Sequence, residues 1–150
     1  MYDTQFYKNQ QTKSYQSAKH ILPFVFEKLN LYPDSVVDFG CGVGTWLQVA
    51  RESGAREIVG VEGDWVTPEM LRSSHIQLLQ KNLEQSIELE KKYDFALSVE
   101  VAEHISEECS DTFIQNLTRS ADIILFSAAI KHQGGRNHIN EQPQSFWANK

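Results

Sequence analysis

The fold of this 150-residue chain is decided by one short stretch, Val36-Val37-Asp38-Phe39-Gly40-Cys41-Gly42-Val43-Gly44-Thr45-Trp46-Leu47. A β-branched run leads into Asp38, and three glycines then alternate through a tight turn before a helix-like segment begins. Alternating glycines allow backbone conformations that are closed to other residues, and they let a ligand lie directly against the main chain. The stretch therefore predicts a strand, a ligand-binding turn and a helix in succession.

Short apolar segments and helix-like segments alternate along the rest of the chain. The predicted strands are Ser35–Phe39, Glu57–Glu62, Ile76–Lys81, Tyr93–Val99 and Asp122–Ala128. The predicted helical segments are Ser14–Asn30 with a kink near Pro23, Thr45–Ser53, Pro68–Arg72, a weak connection over Leu83–Leu89, Val101–Asn116 and a last turn near the C-terminus. Strands that alternate with helical crossovers are typical of a parallel sheet with helices on both faces. We therefore expect one α/β domain over residues 1–150, with a doubly wound, mostly parallel sheet and a polar tail or flap at residues 1–13.

The charge balance and the cysteine content exclude several classes of protein. The chain has 14 Lys and Arg residues against 20 Asp and Glu residues, a net charge of −6, so no overall field attracts nucleic acid or an anionic membrane. No apolar run approaches the ~20 residues that span a bilayer, and the first residues lack the features of a signal peptide. Only Cys41 and Cys109 are present, which favours a reducing, cytoplasmic compartment without a structural disulfide.

Polar residues follow the predicted strands at the ends where a doubly wound sheet binds its ligand. Asp38 closes the first strand, and Glu62 closes the second, 18 residues after Gly44. This spacing is close to the ~20 residues expected for an acid that binds a ribose, since a carboxylate can accept hydrogen bonds from both hydroxyls. Trp65 is placed to cover an adenine ring, and Asn82 follows the third strand. Together these residues predict a nucleotide-type site.

The spacing of the glycines decides between two kinds of nucleotide site. The dinucleotide fingerprint has its third glycine three positions after the second, and that position is Thr45 here, so a nicotinamide-dependent dehydrogenase is disfavoured. The motif Asp-x-Gly-x-Gly-x-Gly instead resembles that of the class I (Rossmann-like) S-adenosylmethionine (SAM) methyltransferases. The resemblance extends over residues 35–130 and includes the fourth strand and the segment Val101-Ala102-Glu103-His104-Ile105.

This resemblance implies SAM as the cofactor and a sheet of strand order 3-2-1-4-5. The implied cofactor-binding residues are Asp38, Gly40, Cys41, Gly42, Gly44, Thr45, Glu62, Gly63, Asp64, Trp65, Asn82, Leu83 and Glu100. The family fold continues into two more strands, the last antiparallel, and neither is visible in this sequence. We therefore expect either a C-terminally truncated fragment of a longer protein or a minimal sheet.

Acidic residues and histidines follow the fourth and fifth strands, where an acceptor would bind. Glu100, Glu103 and His104 have the spacing of one helical face, and His138 lies in a polar loop after the fifth strand. Glu-x-x-Glu-His resembles two metal-assisted subgroups, the quinone-pathway O-methyltransferases and the enzymes that methylate the terminal 2′-hydroxyl of small RNAs. We expect a metal-free site with His104, His138 and Glu100 as the catalytic candidates. A divalent metal held by Glu100, Glu103, His104 and His138 is the alternative.

The function predicted from these features is SAM-dependent transfer of a methyl group to an oxygen or nitrogen atom of a small-molecule or sugar-like acceptor. Two alternatives stay open: a non-catalytic SAM-binding or interaction module, and a metal-assisted RNA 2′-O-methyltransferase. The acidic charge disfavours a nucleic-acid partner, and no membrane partner is expected.

Two further expectations concern the segments after the fourth crossover. The fifth strand is apolar and uncharged from Ile123 to Ala129, and an exposed edge of that composition invites pairing with another chain. We therefore expect either a homodimer through this edge or a longer protein in which a further segment covers it. The following loop from Lys131 to Asn140 contains Gly134-Gly135, a composition suited to a hinge. We expect this loop to become ordered over the acceptor site when ligand binds.

Overall fold

Five parallel strands form the centre of the protein. The computed structural model describes the backbone of residues 4–150 and the side chains of residues 13–150. The strands are β1 (Ser35–Phe39), β2 (Glu57–Glu62), β3 (Ile76–Gln80), β4 (Phe95–Val99) and β5 (Ile124–Ser127). Their order in the sheet is β3-β2-β1-β4-β5, and every pair of neighbours is parallel. The predicted strand order is therefore confirmed.

Helices cover both faces of the sheet, as predicted. They are α1 (Thr4–Leu29), α2 (Thr45–Glu52), α3 (Ser110–Ser120) and α4 (Gln144–Ala148). One apolar core lies between the sheet and α1 and α2, and a second lies between the opposite face and α3 and α4. The central strand β1 is buried along its whole length, which explains why its sequence is apolar on both faces. Its carboxyl end therefore brings Asp38 and the glycine turn to the middle of one edge of the sheet.

The N-terminal helix is longer than predicted. Residues 4–13, predicted as part of a polar tail or a flap, continue α1. Their role as a flap stays a prediction, and residues 1–3 of that segment lie outside the described residues. Residues 4–13 contain neither glycine nor proline, and extending an existing helix adds one hydrogen bond for each residue that becomes ordered. Pro23 lies within α1.

The predicted helical connection over Leu83–Leu89 is wrong. The segment consists of turns and extended backbone, because its polar groups bond to a distant side chain. The amide N–H of Ile87 donates to Oδ1 of Asn116 at 2.9 Å, and Nδ2 of Asn116 donates to the carbonyl of Gln85 at 2.8 Å. Asn116 on α3 therefore replaces the intrahelical bonds that the segment would otherwise make.

The predicted helix over Val101–Asn116 is divided into three pieces. Two short 3₁₀ turns, Ala102–His104 and Glu107–Cys109, precede α3. Ile105 and Ser106 between the turns are extended, and the Ser106 amide donates to the carboxylate of Glu84 at 2.8 Å. Glu100 has a left-handed φ of 56°, so Glu100, Glu103 and His104 do not share one helical face. After β5 the described chain forms a loop and α4 without a further strand.

Candidate functional site

The glycine turn between β1 and α2 forms the floor of the candidate site. The amide of Gly40 donates to the Val61 carbonyl at 2.8 Å, and the amide of Gly44 donates to the Cys41 carbonyl at 2.8 Å. Gly42 has a φ of +51°, and a Cβ atom built at this position would meet no protein atom within 4 Å. The backbone at Gly42 is therefore open to a ligand, which is the close approach that the sequence predicted.

Glu62 at the end of β2 is bonded to this turn. One carboxylate oxygen accepts a hydrogen bond from the Gly42 amide at 2.9 Å, and the other accepts from the Gly63 amide at 2.9 Å. The side chain is buried, but each oxygen retains a lone pair for a further donor. Glu62 is thus placed to hold the turn and to accept hydrogen bonds from ribose hydroxyls at once, and its cofactor role stays a prediction.

Asp38 is buried in β1, with only Phe39 between it and the turn, and lines none of the cavities described below. Asp38 is 3% exposed, and no side chain among the described residues donates a hydrogen bond to its carboxyl group. Burial, followed by the negative charge of Glu62, raises the pKa of Asp38 to about 7. The carboxyl group therefore keeps its proton to a much higher pH than an ordinary aspartic acid does.

A cavity of about 860 Å³ brings together most of the residues predicted to bind the cofactor. The predicted residues that line it are Gly40, Glu62, Gly63, Asp64, Trp65, Asn82, Leu83 and Glu100. The indole of Trp65 lies over Gly63 so closely that a Cβ atom on this glycine would be 2.1 Å from the ring. Glycine is therefore required at position 63 for the indole to lie where it does.

A second cavity of about 750 Å³ meets the first at Gly40, Trp65 and Glu100. It contains the remaining turn residues Cys41, Gly42 and Thr45. Gly44 lines neither cavity, because the side chain of Ile76 lies 2.3 Å from the place of its Cβ. Ligands in the two cavities would meet beside Glu100.

Sequence reasoning did not predict the outer wall of the second cavity. This wall includes Ser14, Ser17 and Ile21 from α1, Trp46 from α2, Met70, Leu125 and Ser127. The three residues of α1 are spaced by three and four positions, which places them on one face of a helix. This spacing can be recognised in the sequence. It does not indicate which face of the sheet α1 covers, so it does not predict that these residues line the cavity.

Glu100 connects the ends of β4 and β5. Its amide donates to the Ser127 carbonyl at 3.0 Å, and the Ser127 hydroxyl donates to the Glu100 carboxylate at 2.8 Å. These bonds hold Glu100 in its left-handed conformation at the boundary of the two cavities.

Glu103, His104 and His138 converge beyond this boundary. One ligand atom of each lies within 4.8 Å of the others, and Nε2 of His138 is 3.9 Å from Oε1 of Glu103. Glu103 is 1% exposed, and its Oε2 atom has no hydrogen-bond partner. Burial raises the pKa of Glu103. Glu100, which the alternative metal site also included, lies outside this cluster of ligand atoms.

Both histidines of the cluster are oriented through Nδ1. His104 Nδ1 lies 3.0 Å from the Asn137 carbonyl, and His138 Nδ1 lies 2.9 Å from the Glu141 carboxylate. The hydrogen bond with His138 is the main cause of a lowered pKa of Glu141. With Nδ1 as the donor in each pair, Nε2 of each imidazole is left with a free lone pair.

The loop that provides His138 is joined directly to Glu103. The amides of Ile139 and Asn140 donate to the Glu103 carbonyl at 2.9 and 3.1 Å. A Cβ atom at Gly135 would lie 2.2 Å from the His138 ring, so this glycine makes room for the imidazole. Ordering of the loop on ligand binding stays a prediction.

Comparison with known families identifies the protein's class. A family model described as a methyltransferase domain matches residues 8–133. The chain belongs to this family. With its parallel sheet of order 3-2-1-4-5, it is a class I, SAM-dependent methyltransferase, which confirms the predicted family, fold and enzyme class. The family also supports SAM as the cofactor, whereas the use or absence of a metal stays a prediction.

Solved structures of methyltransferases share this fold. The methyltransferase domain of bacterial CtHen1 is 22% identical with a TM-score of 0.64, over 89% of this chain and 80% of that one. An O-methyltransferase family protein from Burkholderia thailandensis is 13% identical with a TM-score of 0.69, over 93% and 49%. Magnesium protoporphyrin IX methyltransferase from Synechocystis PCC 6803, with bound SAH, is 22% identical with a TM-score of 0.56, over 73% and 54%. The chain thus spans about half the length of the last two proteins. Among curated proteins, none matches. No helix in the described part of the chain is long and apolar enough to cross a membrane.

Proposed function

We propose that this methyltransferase transfers the methyl group of SAM to a hydroxyl oxygen of a small acceptor, and that it holds a divalent cation on Glu103, His104 and His138. The observation that carries the proposal is the convergence of these three side chains with both imidazoles anchored through Nδ1. The proposal departs from the metal-free site expected from the sequence.

The cluster has the properties of a cation site. Metal-binding histidines generally donate their other ring N–H to a carboxylate or a backbone carbonyl, which fixes the tautomer, and His138 and His104 make one bond of each kind. Oε2 of Glu103 has no hydrogen-bond partner. Burial of an unpaired polar atom costs free energy, and a cation bound to Oε2 would offset that cost. Two imidazoles and one carboxylate suit a transition metal such as Mn²⁺, Co²⁺ or Zn²⁺ better than Mg²⁺, which prefers oxygen ligands.

Different residues of the site would have separate roles in methyl transfer. The Gly42 backbone and Glu62 would position the donor, and Glu100 lies where the two cavities meet. Displacement at a sulfonium carbon requires mainly that donor and acceptor be aligned. A bound divalent cation would polarise the acceptor hydroxyl and favour loss of its proton.

The charge distribution supports a small acceptor. Lys81 is the only lysine or arginine among the described residues that line the two cavities, and the chain has a net charge of −6. An RNA acceptor would need several basic contacts to its phosphates. The RNA-methylating alternative is therefore disfavoured.

A second candidate is metal-free transfer with His138 as general base. It is favoured by the contact between His138 and Glu141, because a carboxylate that orients an imidazole is the usual support for a catalytic base. The two candidates make opposite predictions for metal removal.

Titration of the chain with Co²⁺, followed by visible absorption and calorimetry, distinguishes the candidates. The proposal expects a single site whose ligand-field bands are lost in Glu103→Gln, whereas the exposed Glu108→Gln serves as the matched control and keeps the site. Release of SAH is then measured over a panel of phenols, catechols and sugars, with EDTA and with added Mn²⁺. Activity that survives EDTA, together with no Co²⁺ site, would establish the metal-free base. SAM binding without turnover of any acceptor would favour a non-catalytic module.

A further inference from the structure

The second cavity has an apolar outer wall. Ile21 on α1, Trp46 on α2, Met70 and Leu125 on β5 line it, and its volume of about 750 Å³ is in the range of small-molecule sites. Since the adenosine-binding candidates Glu62 and Asn82 lie in the first cavity, the second is left for the methionine part of the cofactor and for the acceptor.

Several of these apolar side chains are exposed. Ile21 is 40% exposed, Met70 is 48% exposed and Trp65, which borders both cavities, is 70% exposed. Single exposed apolar residues are ordinary, but three around the mouth of one cavity form a patch of the kind that a ligand covers. The free-energy gain on binding would come from removing this patch from water.

The second cavity also lacks positive charge. Among the described residues that line it, none is lysine, arginine or histidine, and Glu100 is the only ionisable side chain besides the buried thiol of Cys41. The body of an anionic acceptor bound in this cavity would be repelled by Glu100, and no positively charged side chain among the described lining residues would offset its desolvation. The hydroxyls of Ser14, Ser17 and Ser127 can form hydrogen bonds with neutral polar groups of an acceptor.

We propose that the second cavity selects an uncharged acceptor with an apolar, ring-sized body, which contacts Ile21 and Met70 and presents its hydroxyl towards Glu100. This inference rests on the proposed function, which supplies the identity of the reacting atom as a hydroxyl oxygen. It adds the chemical class of the acceptor. The same argument disfavours sugar phosphates and RNA ends as acceptors.

Binding and turnover are measured separately, so that the two proposals can fail independently. Calorimetry follows 4-butylcatechol and ribose 5-phosphate added to the SAH complex, with and without Mn²⁺. We expect 4-butylcatechol to bind about tenfold tighter or more. Ile21→Asp should weaken its binding by about tenfold or more because the acid is placed against the apolar ligand. Phe24→Asp changes an exposed residue of the same helix outside the cavity and should have no effect. Met70→Asp provides a second variant on a separate segment.

Each outcome bears on one proposal or the other. Tighter binding of ribose 5-phosphate, binding of neither probe, or 4-butylcatechol affinity unchanged in both Ile21→Asp and Met70→Asp would overturn the acceptor class. If 4-butylcatechol binds and both variants weaken it, but Mn²⁺ changes neither its binding nor its methylation, the acceptor class stands and the cation proposal fails.

Discussion

The Glu62 carboxylate accepts a hydrogen bond of 2.9 Å from the amide of Gly42, so the acid that ends β2 is tied directly to the turn that ends β1. The two predicted cofactor elements therefore act as one unit. A change at Glu62 removes the candidate ribose acceptor and also releases the turn.

Glu62→Ala is expected to weaken SAM binding by about 1–3 kcal/mol through loss of charge-assisted hydrogen bonds. Glu57→Ala, at the opposite end of the same strand, is the matched control and should leave the affinity unchanged. Calorimetric titration with SAM and SAH provides the measurement, with circular dichroism to verify the fold. Equal affinities in the two variants would remove Glu62 from the cofactor site.

Gly42→Val tests the close approach of the cofactor to the backbone. The new side chain would enter the cavity, since no protein atom lies within 4 Å of its Cβ, and we expect SAM binding to be abolished. Gly54→Val introduces the same side chain at another open position with a positive φ, +115°, away from both cavities. If Gly54→Val folds and binds SAM whereas Gly42→Val does not bind it, the loss of binding results from exclusion of the ligand and not from backbone strain. Retained binding in Gly42→Val would contradict the assignment.

Gly135→Ala is expected to weaken Co²⁺ binding about tenfold or more, because its methyl group would occupy the space of the His138 ring and shift a metal ligand. The neighbouring Gly134→Ala meets no atom within 4 Å but places a side chain at a φ of +70°, so it measures the effect of backbone strain in the loop without filling the space of the His138 ring. Competition titrations with a chromophoric chelator give the two dissociation constants. If both variants bind Co²⁺ like the wild type, His138 is not a ligand.

Asp38 should make the stability of the protein depend on pH. Its pKa in the folded state is raised to about 7 from 3.8, so between these values the folded protein binds a proton that the unfolded chain releases. The free energy of unfolding therefore falls as the pH rises through this window, by up to about 4 kcal/mol for this group. Asp38→Asn should flatten the fall and stabilise the protein above about pH 7. Urea denaturation at about pH 5 and about pH 8 provides the comparison, and an unchanged slope in the variant would assign the effect to other groups.

Local sequence determines the parts of the fold that could be predicted. The bounds of β1 and β2 agree with the predictions because short runs of β-branched residues specify both strands, and the glycine turn directly after β1 marks its end. The helix predicted over Leu83–Leu89 is wrong because Asn116, far along the chain, bonds to its backbone. The sequence also places Glu103 and His138 together in the alternative metal site. It could not predict their direct contact, because the bonds of Ile139 and Asn140 to the Glu103 carbonyl position His138 there.

The outer edge of β5 is the last feature with a testable consequence. Among the described residues, β5 pairs with β4 and with no strand on its other side. Trp147 of α4 packs on Phe126 with 5.6 Å between ring centroids, which covers part of one face but supplies no backbone partner for the edge. An unpaired apolar edge favours pairing with another chain.

We therefore expect the 150-residue chain to self-associate through this edge. The adjoining groove of about 370 Å³ is lined by uncharged residues, including Thr118, Gln142 and Gln144, so two copies can meet there despite the net charge of −6. Gln144→Lys would place like charges near each other in a symmetric pair and should raise the dissociation constant about tenfold. Gln115→Lys changes α3 outside the groove and serves as the control. Sedimentation equilibrium at low micromolar concentration measures both, and a monomeric wild-type chain would show that α4 protects the edge sufficiently.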